Sequence, residues 1–189
     1  MEFSKNDMVL LACTRDRQIL LFRRASLEGF AFTLEKRVAE AHSRIIWALS
    51  WSHDDTLFAT ASRENKKSVK IWNGLKADEK TLGTLHSELP KGSVASATSV
   101  QFFPEKISWP KSAEAVYAMI IGQESGALSI WIQDGADWKS LYVFEKYRMH
   151  GLTVRRIRFG RVEGDENAKQ YTVATCGNDH TVRIFKVGF

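Results

Sequence analysis

Five histidines, two cysteines and several adjacent acids are the residue types in this 189-residue chain that suit catalysis or metal binding. Such chemistry needs set spacings. A metal or hydrolytic centre takes two His on one helix face with a Glu, closely spaced Cys and His ligands, or a Ser in a glycine elbow near a His. None of these patterns occurs. His42 and His150 stand before apolar strands, His53 sits in "SHDD", and His86 and His180 lie in polar turns. Ser50, Ser52 and Ser62 lack a Gly-x-Ser-x-Gly setting, and "GQESGALS" has no phosphate-loop pattern. Asp54–Asp55 and Glu163–Asp165 read as solvated turn acids. The sequence predicts no catalytic residue, no metal and no cofactor, and a protein that is not an enzyme.

The elements that carry these residues repeat. "LACTRDRQILLFRR" (Leu11 to Arg24) and "ATCGNDHTVRIFKV" (Ala174 to Val187) share an apolar strand, a polar turn with an Asp, and a second alternating strand. Asp16 precedes Phe22 by six residues, and Asp179 precedes Phe185 by six. Cys13 and Cys176 fall at matching points and read as small buried apolar residues, not as a disulfide or metal pair. Two more copies are "FATASRENKKSVKIWN" (Phe58 to Asn73) and "AMIIGQESGALSIWI" (Ala118 to Ile132). The aromatic anchors Phe22, Trp72, Trp131 and Phe185 are then spaced by 50, 59 and 54 residues. A period of this size is the mark of a repeated supersecondary unit. Alternation in "SVKIW" and "TVRIF" reads as half-buried strand. Glu35–Glu40 is ambiguous alone, and its neighbours favour strand.

The expected fold is all-β, with about fourteen short antiparallel strands in units near 7–40, 41–88, 95–147 and 150–189. The first unit is read without its first strand, and the last stops after three. This pattern is similar to part of a WD-repeat β-propeller, about three and a half to four blades of four-stranded sheets. In such a blade a His, a Ser or Thr, an acid and a Trp form a hydrogen-bonded chain that satisfies buried polar groups. His42, Ser62 and Trp72 fit three of those places, while "RENKKS" replaces the tight Asp turn and leaves that network incomplete. His150, Thr175 and Asp179 fit in the last unit, where Phe185 has no N–H to donate. Units one and three are more degenerate.

A ring of typically four to eight blades closes on itself. The chain is therefore expected to be a fragment, with the missing blades supplied by the rest of a longer chain or by another chain. No stretch nears the ~18–20 apolar residues of a membrane span, and no signal peptide is read. The expected location is cytoplasmic and also nuclear, with no membrane partner. The net charge of +5 leans toward anionic partners. Loops before the first strand and between the second and third share the narrower top face of a propeller. Arg15, Arg17, Arg44, Arg63, Lys66 and Lys67 fall there and could hold acidic protein loops or phosphates. The alternative is a solvated rim.

The segment "AHSRIIWALSWSHDDTLFATASRENKKSVKIW" (Ala41 to Trp72) is the most individual. It resembles the WD-repeat second-subunit family of Elongator, a complex that modifies wobble uridines in transfer RNA. The runs "HSRIIW", "FATASR" and "KSVKIW" carry the likeness, and Ala48, Leu49 and the widened turn Glu64–Lys67 depart from it. The resemblance implies a non-catalytic scaffold that mediates protein–protein interactions and joins the large and catalytic Elongator subunits. It also implies at most an indirect or weak tRNA contact. The alternatives are a generic WD-repeat adaptor in another complex and a basic-surfaced RNA-contacting module.

Overall fold

The computed structural model describes residues 1–26, 28–76, 78, 80–109, 114–144, 148–165 and 168–189. Four antiparallel sheets follow one another along the chain, and in each the strands pair in sequence order. The first holds β1 (Glu2–Phe3), β2 (Val9–Cys13), β3 (Ile19–Arg24) and β4 (Phe32–Val38). The second holds β5 (Ile46–Trp51), β6 (Leu57–Ser62), β7 (Val69–Asn73) and β8 (Leu85–Glu88). The third holds β9 (Ala97–Phe102), β10 (Ala118–Gln123), β11 (Leu128–Asp134) and β12 (Asp137–Phe144). The fourth holds β13 (Val154–Glu163), β14 (Gln170–Gly177) and β15 (Val182–Gly188).

The first sheet starts at Glu2, ahead of the expected boundary at residue 7, so it has the first strand that the sequence reading withheld. Two residues are too few to show alternation. A turn betrays the equivalence instead. Ser4 Oγ bonds Asn6 Oδ1 and accepts the amide of Val9, as Ser52 Oγ bonds Asp54 Oδ1 and accepts that of Leu57. Asp7 and Asp55 then take φ of 57° and 58°. The described strands thus number fifteen, not fourteen. In the third unit β12 ends at Phe144, and residues 145–147 of the expected strand lie outside the described residues. His86 lies within β8 instead of a turn.

The sheets stack face to face. All six residues of β6 are buried because the second sheet is covered on both sides. Phe58 packs with Trp72 toward Val9, Leu11, Ile19 and Leu21 of the first sheet. Leu57, Ala59 and Ala61 pack toward Val100, Met119 and Ile121 of the third. Ala118 and Ile120 face the fourth sheet, meeting Val154, Ile157 and Val173. Along each strand, alternate side chains serve alternate neighbours, as the pleat demands.

The four aromatic anchors hold matching register positions. Phe22 pairs with Leu10, Trp72 with Phe58, Trp131 with Met119 and Phe185 with Val173. A register shift adjoins the anchor in each of the first three sheets, at Leu21/Phe22, Ile71/Trp72 and Ile130/Trp131. Trp72, Trp131 and Phe185 each pack on the preceding sheet. Phe22 lies on the opposite face from Leu11 and Leu21, and no described sheet covers that side.

The first strands converge at one edge of the stack, where β5 touches β1 and β9, and β9 touches β13. One polar residue from each forms a belt. Gln101 Nε2 donates to Glu2 Oε1 (3.4 Å) and Ser50 Oγ (3.1 Å), and Arg158 Nη1 donates to Gln101 Oε1 (3.0 Å). The Phe102 amide also reaches buried Ser50 Oγ at 3.1 Å. Desolvation raises the Glu2 pKa, with Gln101, the Trp51 amide and Arg158 opposing it. Sheets radiating from a shared inner edge are propeller blades.

Candidate functional site

The tops of the second and fourth blades are locked by buried polar chains. In the second blade Trp72 Nε1 donates to Thr60 Oγ1 (2.9 Å), Thr60 bonds His42 Nε2 (2.7 Å), and His42 Nδ1 bonds Glu64 Oε1 (2.9 Å). The Ser43 amide donates to the same Glu64 oxygen at 2.7 Å. Two expectations need correction here. The hydroxyl in the chain belongs to Thr60, whereas Ser62 bonds the Arg44 carbonyl at 3.3 Å. The widened turn does not leave the network incomplete, because Glu64 supplies the carboxylate.

In the fourth blade His150 Nε2 bonds Thr175 Oγ1 (2.8 Å), and His150 Nδ1 bonds Asp179 Oδ1 (3.0 Å). The Gly151 amide donates to Asp179 Oδ2 at 3.0 Å, the counterpart of Ser43 on Glu64. Desolvation opposes charge on Asp179, yet bonds from His150, Gly151 and Thr181 outweigh it and hold the carboxyl below the ordinary carboxylate range. In both blades the acid lies four residues after the strand Thr, and that spacing was the available sequence signal for Glu64. The third blade lacks this chain: Ile121 stands at the register position of Thr60, and Trp131 Nε1 instead donates to Ser129 Oγ on its own strand at 2.9 Å. Cys13 and Cys176 are free thiols at equivalent register positions, half-buried instead of buried.

Burial pushes the His42 pKa down from 6.5 to about 4, despite the raising effect of Glu64. The bond pattern agrees: with Trp72 Nε1 donating to its oxygen, the Thr60 hydroxyl donates a hydrogen bond to an unprotonated Nε2, so His42 is neutral with its proton on Nδ1. The unfolded chain takes up a proton near the ordinary value and the folded chain only near 4, so between them the unfolded state binds more protons. Stability from this group is fully present above the ordinary value and lost as pH falls toward 4. We expect a loss of about 3 kcal/mol over that window. His42→Gln removes this share of the pH dependence. Unfolding midpoints measured across the window for both proteins check it, and parallel curves would refute the assignment.

Above these networks lies an open cavity of about 540 Å³ lined by Arg15, Arg17, Ser43, Arg44, Ile45, Trp47 and Arg63. Four of the six expected basic residues therefore meet. Lys66 and Lys67 do not line it, and Lys67 bonds Glu88 on the fourth strand of its own blade at 2.7 Å. Two residues the sequence reading did not place here join them. The guanidinium groups of Arg63 and Arg155 lie over the Trp47 ring, 5.4 and 5.6 Å from its centroid.

The backbone explains the meeting. The register of β5 on β6 skips Trp47, and that of β13 on β14 skips Arg155. Each is the extra residue of a β-bulge, which re-aims a side chain out of the ladder. Thr98 is skipped in the same way between β9 and β10, and its hydroxyl donates to the Val154 carbonyl across the blade seam at 2.7 Å. Among the described residues, no group of three or more His, Cys, Asp or Glu is placed to hold a metal ion. Among the described residues, no helix is long and apolar enough to cross a membrane.

Stacked four-stranded blades, a shared inner edge and His–Thr–acid locks define a WD-repeat β-propeller segment. A family model for the WD domain, G-beta repeat, matches residues 34–73. A chain in the crystal structure of the mitotic checkpoint complex superposes with a TM-score of 0.63 at 16% identity, covering 98% of this chain and 47% of that one. That likeness shows the fold alone. In sequence, the chain resembles Elongator complex protein 2 along its length. It is 33% identical to that of Dictyostelium discoideum over 100% of this chain, and 31% identical to that of Drosophila melanogaster over 99%. The Homo sapiens protein is 29% identical over 99%. The chain spans 21%, 23% and 24% of those relatives' own lengths.

Proposed function

We propose that this chain is a non-catalytic scaffold segment of an Elongator-type WD-repeat subunit, serving the modification of transfer RNA by holding other subunits together. The observation that carries this reading is a likeness to Elongator complex protein 2 that runs through all four blades. The large and catalytic subunits of that complex are the partners it implies, and the cytoplasm and nucleus the locations.

The two end faces favour further blades beside these four. On the fourth blade Val182 and Ile184 are 70% and 71% exposed, on the same face as Ala174 and Cys176. On the first, Leu10, Phe22 and half-exposed Leu34 share the uncovered side. Apolar sheet faces of this kind are buried in a closed ring. We assign blades from the rest of a longer chain or from another chain to these faces, and a fourth strand to the free edge of β15.

Affinity purification of the full-length tagged protein tests the reading. We expect the Elongator large and catalytic subunits to co-purify. Their absence, with a different set of proteins recovered, would make this a generic adaptor.

A further inference from the structure

We propose that the cavity at the top of the inner edge is a binding site for single-stranded RNA. Arg15, Arg17 and Arg44 take the phosphates, and the stack of Arg63, Trp47 and Arg155 takes a base. The choice of RNA over DNA rests on the function proposed above; the site itself rests on its own geometry.

Charge is the first ground. Glu40 and Glu124 are the acids that pair with this cluster. The Arg17–Glu40 contact is long, 3.9 Å, between exposed side chains, and such pairs are weak. Among the described residues, Arg15, Arg44 and Arg155 pair with no carboxylate. Their planar forks match phosphate oxygens two at a time.

Shape is the second ground, and it separates nucleic acid from an acidic peptide. A peptide of Asp and Glu needs only positive charge. Here Trp47 is 38% exposed, beside similarly exposed Ile45, and two guanidinium planes already lie over its ring. Guanidinium planes and indoles are the surfaces on which unpaired bases stack. The volume of about 540 Å³ suits a nucleotide-sized group. Two β-bulges on separate blades set this stack, at the points where Trp47 and Arg155 leave their ladders. A strand bound here also crosses from the first blade, which carries Arg15 and Arg17, to the fourth, which carries Arg155.

The test uses the full-length protein and a fluorescent oligouridylate of about ten nucleotides, followed by anisotropy. Trp47→Ala and Arg155→Gln are each expected to weaken binding roughly tenfold, the worth of one stacked base. Raising salt from about 50 to about 200 mM should weaken the unmodified protein by roughly tenfold or more, as for about three phosphate contacts. Melting temperatures of both variants are compared with the parent, and Arg155→Gln carries the result if Trp47→Ala unfolds. Absence of binding, or binding unchanged in Arg155→Gln, overturns the site. Equal affinity for a polyglutamate peptide overturns its assignment to nucleic acid, and equal affinity for DNA overturns its assignment to RNA. The same variants are passed through the co-purification. Loss of oligonucleotide binding with the partner subunits retained separates this site from the scaffold.

Discussion

Replacing Thr60 with valine is expected to lower the stability of the second blade by about 3 kcal/mol, from two orphaned buried groups at roughly 1–3 kcal/mol each. Valine keeps the shape and the β-branch, so packing changes little. What goes is one hydroxyl that serves two partners, accepting from Trp72 Nε1 and donating to His42 Nε2. Thr60 and His42 are both fully buried, and water cannot replace the lost bonds. The chain to Glu64 is polarised end to end, so cutting its middle link weakens the outer link as well.

Ser62→Ala is the matched comparison. It removes a single 3.3 Å bond to the Arg44 carbonyl and should cost about 1 kcal/mol or less. Thr60→Ser keeps the hydroxyl and should restore most of the loss. Urea unfolding midpoints of the three variants decide the matter. If Ser62→Ala proved as costly as Thr60→Val, Thr60 would not be the hydroxyl that links Trp72 to His42.

Gly126→Ala is expected to be costlier still, on the order of 4 kcal/mol, combining backbone strain with overpacking. Gly126 sits in the turn between β10 and β11 with φ of +90°, where any residue carrying a Cβ is strained. A Cβ there would stand 2.0 Å from the His150 carbonyl oxygen and 2.9 Å from that of Leu152. Neither backbone can retreat cheaply. The His150 amide itself bonds the Gly126 carbonyl at 3.3 Å, and the His150 ring locks the fourth blade. The substitution therefore strikes the seam between two blades.

Gly135 has a comparable φ of +63° with nothing within 4 Å of a built Cβ. Gly135→Ala should cost only about 1 kcal/mol, the backbone share alone. Melting temperatures of the two variants separate strain from collision. Equal losses would mean that the close approach of the third and fourth blades at Gly126 does not matter.

Much of the architecture was legible from local pattern. Phe22, Trp72, Trp131 and Phe185 recur at matching register because every blade repeats the same hairpin chemistry. His150, Thr175 and Asp179 were legible as a set because a short, regular turn separates strand from acid. The equivalent acid in the second blade was hidden. Glu64 keeps the four-residue spacing from Thr60, but the turn beyond it is two residues longer and carries Trp72 out of the familiar frame. A two-residue strand at Glu2–Phe3 was beyond reach for a different reason: alternation needs more than two positions to be seen.

The sequence by itself determined that four alternating strand units follow one another, which aromatic anchors each, and that basic residues gather in the top loops. These follow from side-chain periodicity and turn chemistry, which act over a few residues. Only the tertiary structure decided between Thr60 and Ser62, because both lie on the same face of β6 and the register against Trp72 makes the choice. It alone drew Arg155 over Trp47, since a β-bulge is a mismatch between two paired strands and neither strand carries it alone.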